Sequence, residues 1–253
     1  MSLLRLGLCL VFFLTLSETV SVPFTHATQD PIVVEQVTGG EARQVQEISD
    51  TFERRMRETR DVNSVKYLFV EDFMRRQIQA AKDFNAGHPV FLIPGIPLSI
   101  GTDLATQVSQ SDWERLYVAR LNFRYYSVLL VASRLKPSDL KKENFTQKLF
   151  PSEIFRVIQA NPFLRAEYGT EGEPKKYKIE TLDEFRSLTD TLEQLTAILR
   201  QRFLKHPPER HAPKEQGGGR GFHRITSDGM FELWFVKTDT GIKIAWARVY
   251  PFN

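Results

Sequence analysis

The chain has 253 residues, with 34 Lys and Arg against 31 Asp and Glu for a formal net charge of +3, and it is 42% hydrophobic and 26% charged. That balance excludes a disordered polyelectrolyte and a multi-span membrane protein, and it predicts a soluble globule. The single cysteine, Cys9, excludes a disulfide framework and any cysteine-based metal cluster.

Residues 1–27 read as a secretory signal, in which Arg5 precedes an apolar run from Leu6 to Leu16 and polar residues return at Ser17, Glu18 and Thr19. The run is about eleven residues, short of the roughly 20 that a membrane-spanning helix needs, so the reading is cleavage rather than a retained anchor. Small residues suit cutting after Ala27 or after Ser21, and Ala27 is taken as the boundary. Leu8 before Cys9, so close to the start, argues against lipidation. Cleavage would remove Arg5 with Glu18, leave the charge at +3, and remove the only thiol. The expectation is an exported chain, periplasmic or extracellular, with no integral membrane span after processing and with packing as its sole source of stability.

Residues 28–205 form a mainly helical region. Val45, Ile48, Phe52 and Met56 recur at spacings of three and four, which predicts a helix over 42–60. A second helix is expected from Ser64, with Val65, Leu68, Phe69 and Phe73 on its apolar stripe, until Gly87 and Pro89 stop it. The short link between them predicts an antiparallel helical hairpin. Residues 85–110, broken by Pro89, Pro94 and Pro97, read as a buried loop or edge strand and not as a helix. Ser111 and Glu114 form a capping box for a long helix that runs to Pro137 and is lined by Trp113, Leu116, Tyr117, Leu121, Tyr125 and Val128. Short helices follow at 138–148 and 151–160, Pro162 ends the series, and 161–180 reads as a surface loop. Thr181 and Glu184 give a second capping box, and Phe185, Leu188, Leu192, Leu195 and Leu199 then alternate spacings of three and four. That heptad-like stripe fits a helix pair within the chain or a homodimer seam through the 182–204 helix, and inside a globular domain the first is preferred.

Residues 206–221, rich in proline, glycine and charge, read as a flexible connector. Beyond it the runs Phe222–Thr226, Met230–Lys237 and Ile242–Tyr250 are separated by Ser227-Asp228-Gly229 and Asp239-Thr240-Gly241. Glycine at the third position of each turn supplies a positive φ. The expected fold class is therefore α+β: helix-rich, with a three-stranded antiparallel meander over 222–253 that packs on the helices and completes the same domain. Strict alternation puts Ile242, Ile244, Trp246 and Tyr250 on one face of the last strand, and Lys243, Ala245, Ala247 and Val249 on the other.

The order of paired helices with a kernel of Leu68, Phe69, Asp72 and Phe73, followed by a meander ending Gly-Ile-Lys-Ile-Ala-Trp (Gly241 to Trp246), resembles the NTF2-like (SnoaL-like) superfamily. The resemblance covers roughly residues 43–84 and 228–250, and a long, mainly helical insertion stands where that family has its early strands. It implies a curved antiparallel sheet around helices with a cone-shaped pocket. Family members include isomerases, dehydratases and binding domains, so the resemblance names no reaction.

Four groupings bear on chemistry. His206, Glu209, His211 and His223 have metal-ligating side chains, but the prolines around them prevent a helical ligand pair, and no metal or cofactor is assigned. Asp72, at the margin of an apolar stripe, suits a general base whose pKa burial raises; its simpler use is an ion pair with Arg75 or Arg76. Arg120 and Arg124 share a helical face and lie among Tyr117, Phe123, Tyr125 and Tyr126, which suits an anionic or aromatic ligand or, more plainly, guanidinium heads reaching solvent over the core edge. Arg54, Arg55, Arg57 and Arg60 are matched by Asp50, Glu53, Glu58 and Asp61, so nucleic acid is not an expected partner. No hydrolase elbow, phosphate loop or zinc-protease motif is present, and Asn144-Phe145-Thr146 fits an N-glycosylation sequon. The expected function is a non-enzymatic binding or interaction module for a small molecule or a protein. Asp72, Tyr117, Arg120, Arg124 and Trp246 are its candidate ligand-binding residues, and no residue is assigned as catalytic. The alternative is a small-molecule enzyme or carrier with the cone-shaped pocket.

Overall fold

Thr38 and Glu41 set the start of the first helix in the computed structural model, which describes residues 38–73, 75, 90–93, 96–134, 150–168, 178–205 and 222–249. The Glu41 carboxylate accepts from the Thr38 N–H at 2.8 Å and the Thr38 hydroxyl from the Glu41 N–H at 3.3 Å. This capping box moves the start of α1 (Gly39–Thr59) ahead of the expected position 42. Val45, Phe52 and Met56 are buried along it, as their spacing requires. The helix ends where Arg60 turns left-handed, with φ 53°, and donates its backbone N–H to the Met56 carbonyl.

The expected second helix is corrected. Asp61 caps a 3-10 helix, Val62–Leu68, and the chain then turns extended at Phe69, with φ −82° and ψ 155°. Phe69 forms a parallel bridge with Ile244, and the Val70 N–H donates to the Ile244 carbonyl at 2.9 Å. Backbone pairing with the last strand therefore holds Phe69 in a conformation that a helix through it would forbid. Phe73 and Arg75 are helical again, within the expected span, and 74 and 76–89 lie outside the described residues.

Within 85–110 the chain forms β1 (Val90–Ile93) and β2 (Ile96–Gly101), an antiparallel pair, followed by α2 (Thr102–Gln107). The next cap sits two residues earlier than expected. The Ser109 hydroxyl accepts from the Asp112 N–H at 3.1 Å, and α3 (Gln110–Arg134) follows. After α4 (Ser152–Ala160), Pro162 begins a helix instead of ending one. It occupies the first position of α5 (Pro162–Tyr168), where its missing N–H costs nothing, and Asn161 Oδ1 accepts from the N–H groups of Phe163 and Leu164 at 3.1 Å each. The expected loop over 161–180 thus contains α5 and a two-residue strand, β3 (Lys178–Ile179), which runs parallel to β2.

The second capping box is as expected: the Thr181 hydroxyl accepts from the Glu184 N–H at 3.2 Å and the Glu184 carboxylate from the Thr181 N–H at 3.1 Å. In α6 (Leu182–Lys205), Leu188, Leu192, Leu195 and Leu199 are each 0% exposed. The helix packs on α3, where Trp113 meets Phe185 edge-on at 4.9 Å and Tyr126 stacks on Phe203 at 5.7 Å. Arg115 ties the two helices at their surface through Asp190 and Glu193. The leucine stripe is buried within one chain, so the same side chains are not available as a seam between two.

β4 (His223–Ile225), β5 (Phe231–Thr238) and β6 (Gly241–Val249) form the antiparallel meander, in that spatial order, and the fold is α+β. Gly229 and Gly241 carry the positive φ of the two turns, 65° and 118°. The alternation in β6 is corrected by a bulge. Trp234 pairs with Trp246 but Phe235 pairs with Ile244, which leaves Ala245 without an opposite residue. Ile242 and Ile244 therefore share the core face with Ala247 and Val249, opposite Lys237, Phe235, Leu233 and Phe231, while Trp246 belongs to the other face. On the core side Phe231 meets Phe52 of α1 at 5.0 Å and Tyr125 of α3 at 5.3 Å. The connector, 206–221, lies outside the described residues.

Candidate functional site

Two of the five candidate residues are in direct contact. Tyr117 and Trp246 meet, with ring centroids 4.4 Å apart, and Phe73 lies 5.4 Å from Tyr117 on the other side. Both are buried, and the Tyr117 hydroxyl donates to the Ala247 carbonyl at 2.6 Å and accepts from the Ala247 N–H at 3.1 Å. This phenol covers the outer edge of β6. Burial pushes its pKa up, against the small opposing effect of the Ala247 hydrogen bond. Asp72 is half-buried and pairs with Arg75 at 2.9 Å, the simpler of its two readings. Arg120 is buried in α3, and Arg124, one turn on, is half-buried. Of the histidine group only His223 is described, and among the described residues no cluster of His, Cys, Asp and Glu is placed to hold a metal.

A shallow cleft of about 280 Å³ lies between α1 and the β4–β5 turn, lined by Asp50, Glu53, Arg54, Arg57, Glu58 and Ser227. Its centre is a structural clamp. Glu53 is 5% exposed and accepts from the Ser227 N–H at 2.8 Å, the Ser227 hydroxyl at 2.6 Å, and Arg57. A carboxylate used this fully docks the turn on the helix and has little capacity left for a ligand.

A different grouping forms on the outer face of the meander, where cross-strand register rather than sequence spacing brings it together. His223, Trp234 and Trp246 stand in one row across the three strands, and Ile225, Glu232 and Arg248 stand in the next. Glu232, with its side chain 8% exposed, accepts from His223 Nε2 at 2.6 Å through one oxygen and from Arg248 Nε through the other. The His223 and Arg248 side chains remain 36% and 38% exposed. The Trp234 indole lies between these groups, its ring 5.2 Å from the imidazole and 5.4 Å from the Arg248 guanidinium carbon. Burial alone would push the Glu232 carboxyl up, but the hydrogen bond from His223 and the charge of Arg248 outweigh it and hold the group below the ordinary carboxylate range. The carboxylate is therefore ionised and fixes two donors whose outer nitrogens face away from it.

No family model, no curated protein and no solved structure matches this chain. The reading of function therefore starts from the chemistry of the site.

Sequence reasoning missed Glu232 and Arg248 and counted His223 only as a metal ligand. The available signal was Glu232 itself, a charged residue between Phe231 and Leu233 in an otherwise apolar strand. Its partners were hidden by the bulge. Unbroken pairing outward from the Asp239-Thr240 turn would set Ala247 opposite Glu232, whereas the extra residue at Ala245 brings Arg248 there.

Proposed function

We propose that the protein is an exported, non-enzymatic binding module that engages its ligand with the outer face of the C-terminal meander. The arrangement of Glu232, His223 and Arg248 around Trp234 carries this reading, because a buried carboxylate holds two half-exposed polar side chains in fixed orientation on a rigid sheet. Polar groups fixed in advance lose less conformational entropy when a ligand arrives. The same arrangement is poor for proton transfer, since a carboxyl group held below its ordinary range and bonded on both oxygens is a weak general base. The apolar run in the first 27 residues supports export. Among the described residues no helix is long and apolar enough to cross a membrane.

Native mass spectrometry tests this on chain purified from the exported fraction without denaturation, alongside a Trp234→Ala variant. A bound mass on the natural chain that is absent from the variant is the expected result. A mass retained by the variant, or no bound mass on either, contradicts the assignment.

A further inference from the structure

We propose that the ligand of this face is a neutral saccharide, held through adjacent hydroxyl groups by His223 and Arg248 beside the Trp234 indole. This rests on the assignment of the outer face as the binding surface and adds the chemical class. An ionised Glu232 can only accept hydrogen bonds, so the proton in its 2.6 Å contact with His223 sits on Nε2. In its neutral form the imidazole then turns Nδ1, an acceptor, away from the carboxylate. Arg248 gives Nε to the other oxygen and keeps its two terminal nitrogens, which are donors only. Among the described residues the side-chain hydrogen bonds of His223 and Arg248 are those to Glu232 alone. With the imidazole neutral, the pair presents one acceptor and one donor fork on either side of a single carboxylate, and the charges of Arg248 and Glu232 cancel.

That pattern selects among ligands. A carboxylate or phosphate would meet the Nδ1 lone pair and the Glu232 charge, with no uncompensated cation to offset them. Sugar hydroxyls both donate and accept, so one can donate to Nδ1 while its neighbour accepts from the guanidinium. Arg248 lies over the Trp234 ring, so the apolar surface left for the C–H groups of a sugar ring is the part of the half-buried indole beyond the guanidinium, with Val236 beside it along β5.

The test is a titration of the full exported chain at pH 8, followed by calorimetry and by ¹⁵N–¹H spectra. The neutral probes are cello-, malto-, xylo- and chito-oligosaccharides, and the anionic probes are acetate and inorganic phosphate. At least one neutral oligosaccharide is expected to shift the signals of His223, Trp234 and Arg248, and neither anion should do so at equal concentration. His223→Ala should weaken that binding about tenfold, the loss of a hydrogen bond and its ring contact. If His223→Ala does not fold, Arg248→Lys gives the same reading, because it keeps a cation beside Glu232 but removes the donor fork. Acetate or phosphate moving those signals while the sugars do not would overturn the saccharide and leave the face standing. Sugars moving signals elsewhere would overturn the face as well. No response to any saccharide would overturn the proposed class.

Discussion

Replacing Tyr117 by Phe removes one oxygen atom and leaves the ring where it packs against Phe73 and Trp246. The oxygen accepts from the Ala247 N–H at 3.1 Å and donates to the Ala247 carbonyl at 2.6 Å, so both backbone groups turn away from β5 toward the edge that the phenol covers. Ala247 is 1% exposed, and neither group would find water in the variant without local opening. Each buried backbone group left without a partner costs about 1–3 kcal/mol, so the pair predicts a loss of roughly 2–6 kcal/mol. For a chain of this size that corresponds to a fall in Tm of roughly 4–24 °C. Thermal unfolding followed by circular dichroism and by tryptophan fluorescence measures it, and the two probes should fall together. A change below about 1 °C would refute the edge-cap role, because no estimate for two orphaned buried groups is that small. Since burial raises the Tyr117 pKa, its phenol should also stay protonated at a pH where exposed tyrosines ionise, which ultraviolet difference spectra can follow.

Three further outcomes follow from the same contacts. Glu53→Ala should undock the β4–β5 turn, because it leaves the Ser227 N–H and Arg57 without their acceptor; a loss of about 2–4 kcal/mol in urea unfolding is expected. Glu232 is held below its ordinary pKa, so its contribution to stability is complete above the unfolded carboxyl value, near pH 4.3, and is lost as pH falls through the lower folded value; Glu232→Gln should flatten the stability curve on that acid side. Leu192→Ala should cost about 2–5 kcal/mol with no change in oligomeric mass, because Leu192 is fully buried within one chain; a dissociating dimer would contradict the packing of α6 on α3.

The parts of the fold that were legible in the sequence are those with a local cause. α6 has its capping box at Thr181 and Glu184 and its leucines at heptad spacing, and both turns of the meander have glycine where φ is positive. What sequence reasoning misplaced depends on distant groups. Phe69 has the spacing of a helical residue, yet a backbone bridge to Ile244, far along the chain, makes it extended. Pro162 looks like a terminator until Asn161 is seen to cap the helix that it begins. Tyr117 and Trp246, which the sequence offers as ligand-binding residues, pack against each other, a contact between positions far apart in the chain. The group around Glu232 was illegible because a single extra residue at Ala245 reverses which side chains share a face, and strict alternation cannot reveal where a strand carries a bulge.

The most direct test of the account compares ¹⁵N–¹H spectra of the exported chain carrying its native ligand with those of the same chain stripped of it. The largest changes are predicted at the amides of His223, Glu232, Trp234 and Arg248 and at the Trp234 indole N–H. Largest changes in the cleft around Asp50 and Arg54, or around Tyr117 and Phe73, would contradict the assignment of the meander's outer face as the binding surface.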